Sequence, residues 1–397
     1  MDLFDKCKAF DRPQKLVRAE LYPYFRAIEH STATKVTIAG RELVMIGSNN
    51  YLGLTHDRRV IEAAKQAADE FGSSCTGSRF LNGSLALHEE LEGRLARFMG
   101  FPSCVTFSTG FQVNLGVISA IAGKGDLILC DRENHASIID ACRLSLAETW
   151  KFRHNDMEDL EEKLKNAPAE AGKLIVVDGV FSMVGHICNL PDIIRLAKKY
   201  GARVMIDDAH GVGVLGKTGR GTLEHFGVEG PYQGVDLVMG TFSKSLASIG
   251  GFVVATEEVV NFVKHTARSL MFSASPSPSN TASALAAVDI IEKEPERVAR
   301  LWAITQKMKD GFDAMGYDTM GSETPIIPLA IGDDIETFRF AKEVYELGIF
   351  VNPVVPPGAP RGLVRTSYMA THSDEELDFA LDVFGQLAKK RFGVVAN

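Results

Sequence analysis

The chain has 397 residues, of which 45% are apolar and 24% are charged, and its formal net charge is −8. This length is sufficient for two domains with sizeable cores, and the composition is that of a soluble globular protein. The negative charge makes the chain a poor candidate for binding nucleic acid, because such binding relies on positive charge at the phosphates.

Six cysteines lie at positions 7, 75, 104, 130, 142 and 188, and no two have C-x-x-C spacing. This pattern predicts neither a metal site nor a redox dithiol, and isolated thiols in a long chain are typical of a cytoplasmic protein. The segment MDLFDKCKAFDRP has no basic region followed by an apolar run, so we expect no signal peptide. The longest apolar stretch, residues 174–184, is too short to span a bilayer, which leaves only peripheral membrane contact open.

The first 55 residues favour an amphipathic helix followed by a β-hairpin. The two strands of the hairpin are TKVTI and ELVMI, joined by a turn at Ala39 and Gly40. Helical spacing of apolar residues then recurs in residues 57–71 and 85–99.

Short apolar runs dominate the middle of the chain: CVTF, DLILC, KLIVVD, ARVMID, VDLVMG and GGFVVA. Helical stretches, such as residues 138–146 and 190–200, separate several of them. This alternation predicts a mostly parallel sheet covered by helices on both faces. In such sheets the functional site lies beyond the strand ends, so the residues directly after each run are candidates.

The pattern changes after residue 285. Charged helical segments at residues 289–315, 335–347 and 373–391 alternate there with a few strands. We therefore predict an N-terminal helix and hairpin segment (1–55), a large domain (56–285) and a small α+β domain (286–397).

A glycine-rich motif, GVGVLGKT at residues 211–218, matches the phosphate-binding pattern G-x-x-x-x-G-K-T and follows a strand. That pattern requires a helix starting at its last glycine, and Gly219 and Gly221 would fall in the first turn of this helix. Glycine costs about 1 kcal/mol per helical position relative to alanine, so a glycine-rich connection is favoured. A P-loop nucleotide-binding protein using Lys217 remains the alternative from a different class, and ATP binding without yellow colour would favour it.

The segment GTFSKS follows the strand VDLVM and places Lys244 among the hydroxyls of Thr241 and Ser243. Hydroxyls of this kind bind phosphate, and a lysine amine in such a site forms an imine with a carbonyl compound. The alternative is an ordinary surface lysine, which is the commoner case for a lysine taken alone.

Three further strand ends carry polar residues. ARVMIDDAHG ends in Asp207, Asp208 and His210, and one carboxylate there would keep a pyridinium nitrogen protonated. His135 in DRENHASIID would stack on a planar ring, although a lone histidine is more often structural. FSTGFQVN is a strand, a turn and a helix start, which together form a natural phosphate cradle.

Taken together with SNNYLGL at residues 48–54 and RTSYMATH at residues 365–372, these motifs resemble the α-oxoamine synthases. The resemblance covers essentially the whole chain. It implies the α/β architecture of fold-type-I enzymes that use pyridoxal 5′-phosphate, with a mostly parallel seven-stranded sheet covered by helices and a small C-terminal α+β domain. It also implies the joining of an amino acid to an acyl-CoA with loss of carbon dioxide.

The resemblance assigns roles around the cofactor. Lys244 is expected to hold it as a Schiff base and to shuttle protons, and Asp207 to face the ring nitrogen. His135 would stack on the ring, with His210 and Ser182 beside the ring hydroxyl. The residues expected at the phosphate or elsewhere on the cofactor are Gly110, Phe111, Thr241, Ser243 and Ser275.

For the substrate, the resemblance implies that Arg365 binds the amino-acid carboxylate and that Asn49 and Ser78 lie on the substrate side. It further implies a homodimer with shared active sites, in which Asn49 and residues 273–275 lie next to the partner's cofactor. GSRFLNGS, ARSLMFSAS and VNPVVPP are most similar to bacterial members that condense L-serine with a long-chain acyl-CoA, palmitoyl-CoA. Their product, 3-ketodihydrosphingosine, begins sphingolipid synthesis.

Two alternatives stay within this fold. One is an α-oxoamine synthase that takes glycine or alanine and makes 2-amino-3-ketobutyrate or 8-amino-7-oxononanoate. The other is a non-catalytic partner subunit, against which Lys244, Asp207 and His210 together argue. One departure from the family pattern is that Val184 and His186 stand after FSM, where the family is usually acidic.

Overall fold

A computed structural model of the chain describes residues 2–392. Its contacts divide the chain into two compact units. The larger comprises Asn49–Ala303 with Glu323–Pro325, and the smaller comprises the described parts of Met1–Ser48, Ile304–Ser322 and Ile326–Asn397. The predicted domains follow chain order with boundaries at 55 and 285, whereas the contacts group the N-terminal hairpin with the C-terminal segments.

The strands are β1 His30–Ser31, β2 Lys35–Ile38, β3 Arg41–Met45, β4 Ser103–Phe107, β5 Leu127–Asp131, β6 Glu148–Phe152, β7 Lys173–Asp178, β8 Arg203–Asp207, β9 Leu237–Thr241, β10 Gly251–Ala255, β11 Ile326–Gly332, β12 Ile349–Phe350, β13 Asn352–Val354 and β14 Gly362–Ser367. The helices are α1 Asp5–Lys8, α2 Arg12–Arg18, α3 Arg58–Phe71, α4 Ala86–Met99, α5 Gly110–Ile121, α6 Ala136–Leu144, α7 Met157–Asn166, α8 Leu190–Tyr200, α9 Thr222–His225, α10 Glu257–Thr266, α11 Arg268–Met271, α12 Pro278–Lys293, α13 Glu296–Ala314, α14 Asp334–Glu346 and α15 Asp374–Phe392. Single 3₁₀ turns occur at Leu54–His56 and Pro231–Gln233.

The larger unit is built on a seven-stranded sheet in the order β4-β10-β9-β8-β7-β5-β6. Only β10 runs antiparallel to its neighbours, so the prediction of a mostly parallel sheet is confirmed. Alternate strand residues such as Ile128, Val176 and Met205 pack with Val113 and Ile138 from α5 and α6. Because successive side chains in a strand point to opposite faces, this cluster is the core beneath one face of the sheet.

The smaller unit contains the predicted hairpin, with Ile38 opposite Arg41 across the turn. Ala39 and Gly40 both have positive φ, 50° and 70°. This conformation is that of the two-residue turns whose twist matches a hairpin. A three-stranded antiparallel sheet, β11-β14-β13, packs with α14 in the same unit.

One sequence prediction is wrong and one strand was not predicted, each for an identifiable reason. Residues 289–315 were expected to form one helix, but α12 ends at Lys293 and α13 begins at Glu296. Pro295 causes the break, because proline lacks the N–H that a continuing helix needs and disfavours helical geometry in the residue before it. Strand β6 was missed because ETWKF lies at the sheet edge, where only Phe152 is buried and the apolar signal is weak.

Among the helices of residues 2–392, none combines the length and the apolar composition that a membrane-spanning helix needs.

Candidate active site

The larger unit contains a cavity of about 300 Å³ at the carboxyl ends of its parallel strands. Asp178, Asp207 and Thr241 are the last residues of β7, β8 and β9, and all three line it. This is the position expected for a binding site in an open parallel sheet. The lining residues are Thr109, Gly110, Phe111, Asn114, His135, Ser137, Asp178, Val180, Ser182, Asp207, Ala209, His210, Met239, Thr241, Ser243, Lys244, Ile249 and Gly250.

One wall of the cavity is the N-terminus of α5. Thr109 caps this helix by accepting a hydrogen bond from the Gln112 N–H at 3.2 Å. A Cβ on Gly110 would lie only 2.8 Å from Oγ1 of Thr241, so glycine is required for this close approach. Oγ1 of Thr241 in turn lies 2.9 Å from Oγ of Ser243. Because the first N–H groups of a helix lack partners within it, this cradle of N–H groups and hydroxyls suits a phosphate.

The two adjacent aspartates after β8 have different surroundings. Asp207 lines the cavity, and its carboxylate accepts hydrogen bonds from Nδ2 of Asn114 at 2.7 Å and from the Ala209 N–H at 3.1 Å. Asp208 is fully buried and accepts from the N–H and the hydroxyl of Thr222, at 2.9 and 2.5 Å. Burial raises the pKa of Asp208 to about 6. Of the two carboxylates, the one available to a ring nitrogen in the cavity is therefore that of Asp207.

The glycine-rich motif surrounds the buried Asp208. A Cβ on Gly211 or Gly221 would lie 1.8 or 2.0 Å from an oxygen of its carboxylate. The short helix α9 begins at Thr222, beyond the motif, so no helix starts at its last glycine, Gly216. The glycines therefore allow close packing around a carboxylate. The motif matches the P-loop pattern in sequence but does not have the P-loop structure.

His135 lines the cavity as the N-cap residue of α6. Its Nδ1 accepts from the Ser137 N–H at 3.3 Å and lies 2.7 Å from Oγ of Ser137. Desolvation by the surrounding protein lowers the pKa of His135, the charge of Lys244 acts in the same direction, and the charge of Asp207 opposes both. A neutral imidazole with an open face suits stacking on a planar ring.

Lys244, His210 and Ser182 also line the cavity. Lys244 follows β9 and is partly exposed. Nδ1 of His210 lies 2.7 Å from the hydroxyl of Tyr51, whose side chain is almost fully buried. The cavity thus brings together an amine, a carboxylate, two imidazoles and a phosphate cradle, the set that a phosphorylated pyridine aldehyde requires.

Sequence reasoning missed four polar residues around this site, namely Tyr51, Asn114, Ser137 and Asp178. Asp178 accepts a hydrogen bond from the His135 N–H at 3.1 Å, and burial followed by the charge of Asp207 raises its pKa well above the ordinary value. A signal existed for Asn114, because it lies four residues after Gly110 and a helix returns to the same face at that spacing.

Four predicted residues do not line the cavity. Ser275 donates to the carbonyl of Gly77 from both its N–H and its hydroxyl, at 2.9 and 3.1 Å. This joins the segment 273–275 to the segment 77–84, which carries the buried Ser78. Oδ1 of Asn49 accepts from the Tyr51 hydroxyl at 3.4 Å. Arg365 lies on β14 of the smaller unit, where it is buried.

Val184 and His186 stand at the two positions after FSM that are usually acidic in the family, and both have well-defined surroundings. Val184 is buried, and Nδ1 of His186 lies 2.9 Å from Nε2 of His154. Nδ1 of His154 lies 3.1 Å from a carboxylate oxygen of Asp131, which is fully buried. Within residues 2–392, no cluster of three or more metal-binding side chains is arranged to hold a metal ion.

Comparison with known proteins agrees with this geometry. Residues 41–384 match the aminotransferase class I and II family. A serine palmitoyltransferase from Bacteriovorax stolpii is 50% identical over 394 residues, covering 98% of this chain and 93% of that protein. An 8-amino-7-oxononanoate synthase from Thermosipho melanesiensis is 43% identical over 377 residues, covering 94% of this chain and 95% of that protein.

The solved structure of a serine palmitoyltransferase variant from S. paucimobilis, with a bound PLP–myriocin aldimine, superposes with a TM-score of 0.94. The two chains are 36% identical and each is covered completely. This likeness confirms the predicted fold-type-I architecture. The chain belongs to the aminotransferase class I and II family and, within it, to the α-oxoamine synthases.

Proposed function

We propose that this chain is a serine palmitoyltransferase, which condenses L-serine with palmitoyl-CoA to give 3-ketodihydrosphingosine, CoA and carbon dioxide. The observation that carries the proposal is a single cavity lined by Lys244, Asp207 and a phosphate cradle, in a chain half identical to a serine palmitoyltransferase.

The cofactor of this reaction is pyridoxal 5′-phosphate, and the cavity residues fit it. The N–H groups of Gly110 and Phe111, with the hydroxyls of Thr241 and Ser243, would hold the phosphate. Asp207 would hold the proton on the ring nitrogen, and His135 would cover a ring face. When bound, the cofactor supplies an electron sink for a carbanion at the amino-acid Cα.

Lys244 would provide the amine that holds the cofactor between turnovers, and the same amine would take the Cα proton of serine. An amine serves as such a base only when it is unprotonated part of the time. His210, held by Tyr51 at 2.7 Å, and Ser182 would orient the ring through its hydroxyl. Arg365 is our candidate for the serine carboxylate, since a guanidinium binds a carboxylate with two parallel hydrogen bonds.

The acyl substrate is the second half of the proposal. A C16 chain offers many methylenes, each worth about 0.8 kcal/mol if it is buried, whereas acetyl or dicarboxylic acyl groups gain little from an apolar groove. Support for palmitoyl-CoA comes from the serine palmitoyltransferases among the relatives. The identity to the Thermosipho protein favours one other candidate, 8-amino-7-oxononanoate synthase, which would use L-alanine and pimeloyl-CoA.

We further propose a homodimer with shared active sites, located in the cytoplasm. Asn49, Ser78 and Ser275 do not line the cavity of their own chain, so a role in the partner's site would account for their presence in the family's motifs. The hydrogen-bonded segments around Ser78 and Ser275 also expose three large apolar side chains, Phe80 at 47%, Leu81 at 77% and Phe272 at 72%. Exposed apolar groups of this kind mark interaction surfaces. All six cysteines are free thiols, which suits a reducing compartment.

Product analysis tests the reaction. Purified protein loaded with pyridoxal 5′-phosphate is incubated with palmitoyl-CoA and L-serine labelled in the carboxyl carbon. We expect equal amounts of labelled carbon dioxide, CoA and 3-ketodihydrosphingosine, the last identified by mass spectrometry. CoA release without labelled carbon dioxide would indicate thioester hydrolysis and would contradict the proposal.

A further inference from the structure

A chain of hydrogen bonds links the two groups that would face the cofactor ring, Asp207 and His135. Nδ2 of Asn114 donates to Oδ2 of Asp207 at 2.7 Å and to Oγ of Ser137 at 2.8 Å. Oγ of Ser137 then lies 2.7 Å from Nδ1 of His135. Asn114 and Ser137 are both essentially inaccessible to solvent, at 0% and 1% exposure.

The direction of this chain follows from the chemistry of its ends. A carboxylate only accepts hydrogen bonds and an amide NH₂ only donates them, so the amide nitrogen of Asn114 must face Asp207. The reverse amide orientation would set two oxygens against each other. Ser137 therefore accepts from Asn114, and its own hydroxyl proton is available for Nδ1 of His135.

A second donor reaches the same nitrogen. The backbone N–H of Ser137 donates to Nδ1 of His135 at 3.3 Å. A backbone N–H can only donate a hydrogen bond, so Nδ1 is the acceptor. Nδ1 must therefore carry a lone pair, which places the proton of the neutral ring on Nε2. His135 also caps α6, a nine-residue helix, and the positive end of a helix disfavours an imidazolium.

The charged groups around His135 do not reverse this preference. Asp207 favours the imidazolium, whereas desolvation and Lys244 disfavour it, and the net effect lowers the pKa of His135. Asp178, which accepts from the His135 backbone N–H, has a pKa raised by burial and so carries less negative charge than an ordinary aspartate.

We infer that Asn114, whose amide is oriented by Asp207, and Ser137 are positioning residues that hold His135 as a neutral imidazole with its proton on Nε2. The ring then presents a neutral face and a single N–H donor on the side away from Ser137. This inference goes beyond the proposed function, because it holds for any reaction carried out in the cavity.

Nitrogen NMR of the histidine side chains tests it. The protein is labelled with ¹⁵N in its imidazoles and studied with pyridoxal 5′-phosphate bound and again without it, and His135→Gln identifies the resonances. We expect a pyridine-type Nδ1 and a pyrrole-type Nε2 for His135. In Ser137→Ala the backbone N–H still donates to Nδ1, so the Nε2–H tautomer should remain the major form. The Nδ1–H tautomer should nevertheless gain population and the pKa of His135 should rise by roughly half to one unit, because one donor that stabilises the neutral ring is lost.

Asn114→Leu should shift the tautomer and the pKa in the same direction, since Ser137 is then free to turn its hydroxyl and accept from Nδ1. Ser145→Ala is the matched control, because Ser145 is a buried serine at the other end of α6 and its hydroxyl donates to the Cys142 carbonyl. It should change neither value.

A pyrrole-type Nδ1 in the wild-type protein would overturn the inference, whether or not the variants fold. An unchanged tautomer and pKa in both folded variants would overturn the role of Asn114 and Ser137. These spectra do not depend on turnover, so the failure of this inference and the failure of the proposed reaction are distinguishable.

Discussion

Asp208 is tied to Thr222 by two hydrogen bonds, 2.5 Å from the hydroxyl and 2.9 Å from the backbone N–H. Its neighbour Asp207 instead lines the cavity. Because consecutive residues at a strand end point to opposite sides, only one aspartate of the pair can serve a ligand there. The other anchors the glycine-rich connection that follows.

Asp207→Asn should keep the fold and much of the cofactor binding but lower kcat at least about a hundredfold. An amide has no negative charge with which to hold a proton on the ring nitrogen, so the electron sink weakens. Steady-state kinetics of the loaded protein measure this loss.

Asp208→Asn is the matched control, and it should retain most of the activity. An amide can still pair with both Thr222 groups, so we expect a change in the free energy of unfolding of about 1 kcal/mol. Burial raises the pKa of Asp208 to about 6, so its contribution to stability is present below the unfolded value of about 3.9 and is lost as the pH rises through about 6. The free energy of unfolding of Asp208→Asn should therefore rise relative to that of the wild type as the pH increases from about 3.9 to about 6. An inactive Asp208→Asn beside an active Asp207→Asn would reverse our assignment.

Lys244→Ala should abolish turnover and the visible absorption band of the lysine-bound cofactor. Lys244 supplies the amine at the cavity, and no shorter side chain can replace it. Lys217→Ala, which alters the lysine of the glycine-rich motif, should leave colour and turnover unchanged. Full turnover in Lys244→Ala, or ATP binding that depends on Lys217, would contradict this account.

Gly110→Ala should weaken the affinity for pyridoxal 5′-phosphate by more than about tenfold, because the added Cβ would lie 2.8 Å from Oγ1 of Thr241 and displace the wall of the phosphate cradle. Gly123→Ala, just beyond the far end of α5, is the control, since its Cβ would approach no atom more closely than 3.9 Å. Fluorescence titration of the cofactor-free proteins measures both. Equal affinities of the two variants for the cofactor would contradict the proposal that its phosphate binds at the N-terminus of α5.

Mixing Lys244→Ala with Asn49→Ala chains should restore activity if the active sites are shared between subunits. In each mixed dimer one site would combine an intact Lys244 with an intact Asn49, so roughly a quarter of wild-type activity is expected after random exchange. Lys244→Ala mixed with Asp207→Asn should stay inactive, because both residues line one cavity of one chain. If exchange is confirmed and no activity returns, the sites are not shared.

The sequence predicted the central strands well because strands buried on both faces appear as continuous apolar runs. KLIVVD coincides with β7, and the polar residues directly after such runs meet at one sheet edge. Asn114 and Ser137 were not predicted, because their contacts join two helices and depend on how α5 and α6 pack. The roles assigned to the site residues stay predictions, and those of Asn49, Ser78, Ser275 and Arg365 concern a partner subunit or a bound substrate.

The central claim is tested most directly by the rate of CoA release when L-serine, glycine and L-alanine are each combined with palmitoyl-, acetyl- and pimeloyl-CoA. The account predicts the highest kcat/KM for L-serine with palmitoyl-CoA. Highest turnover with glycine and acetyl-CoA, or with L-alanine and pimeloyl-CoA, would contradict it and assign the chain to another α-oxoamine synthase activity.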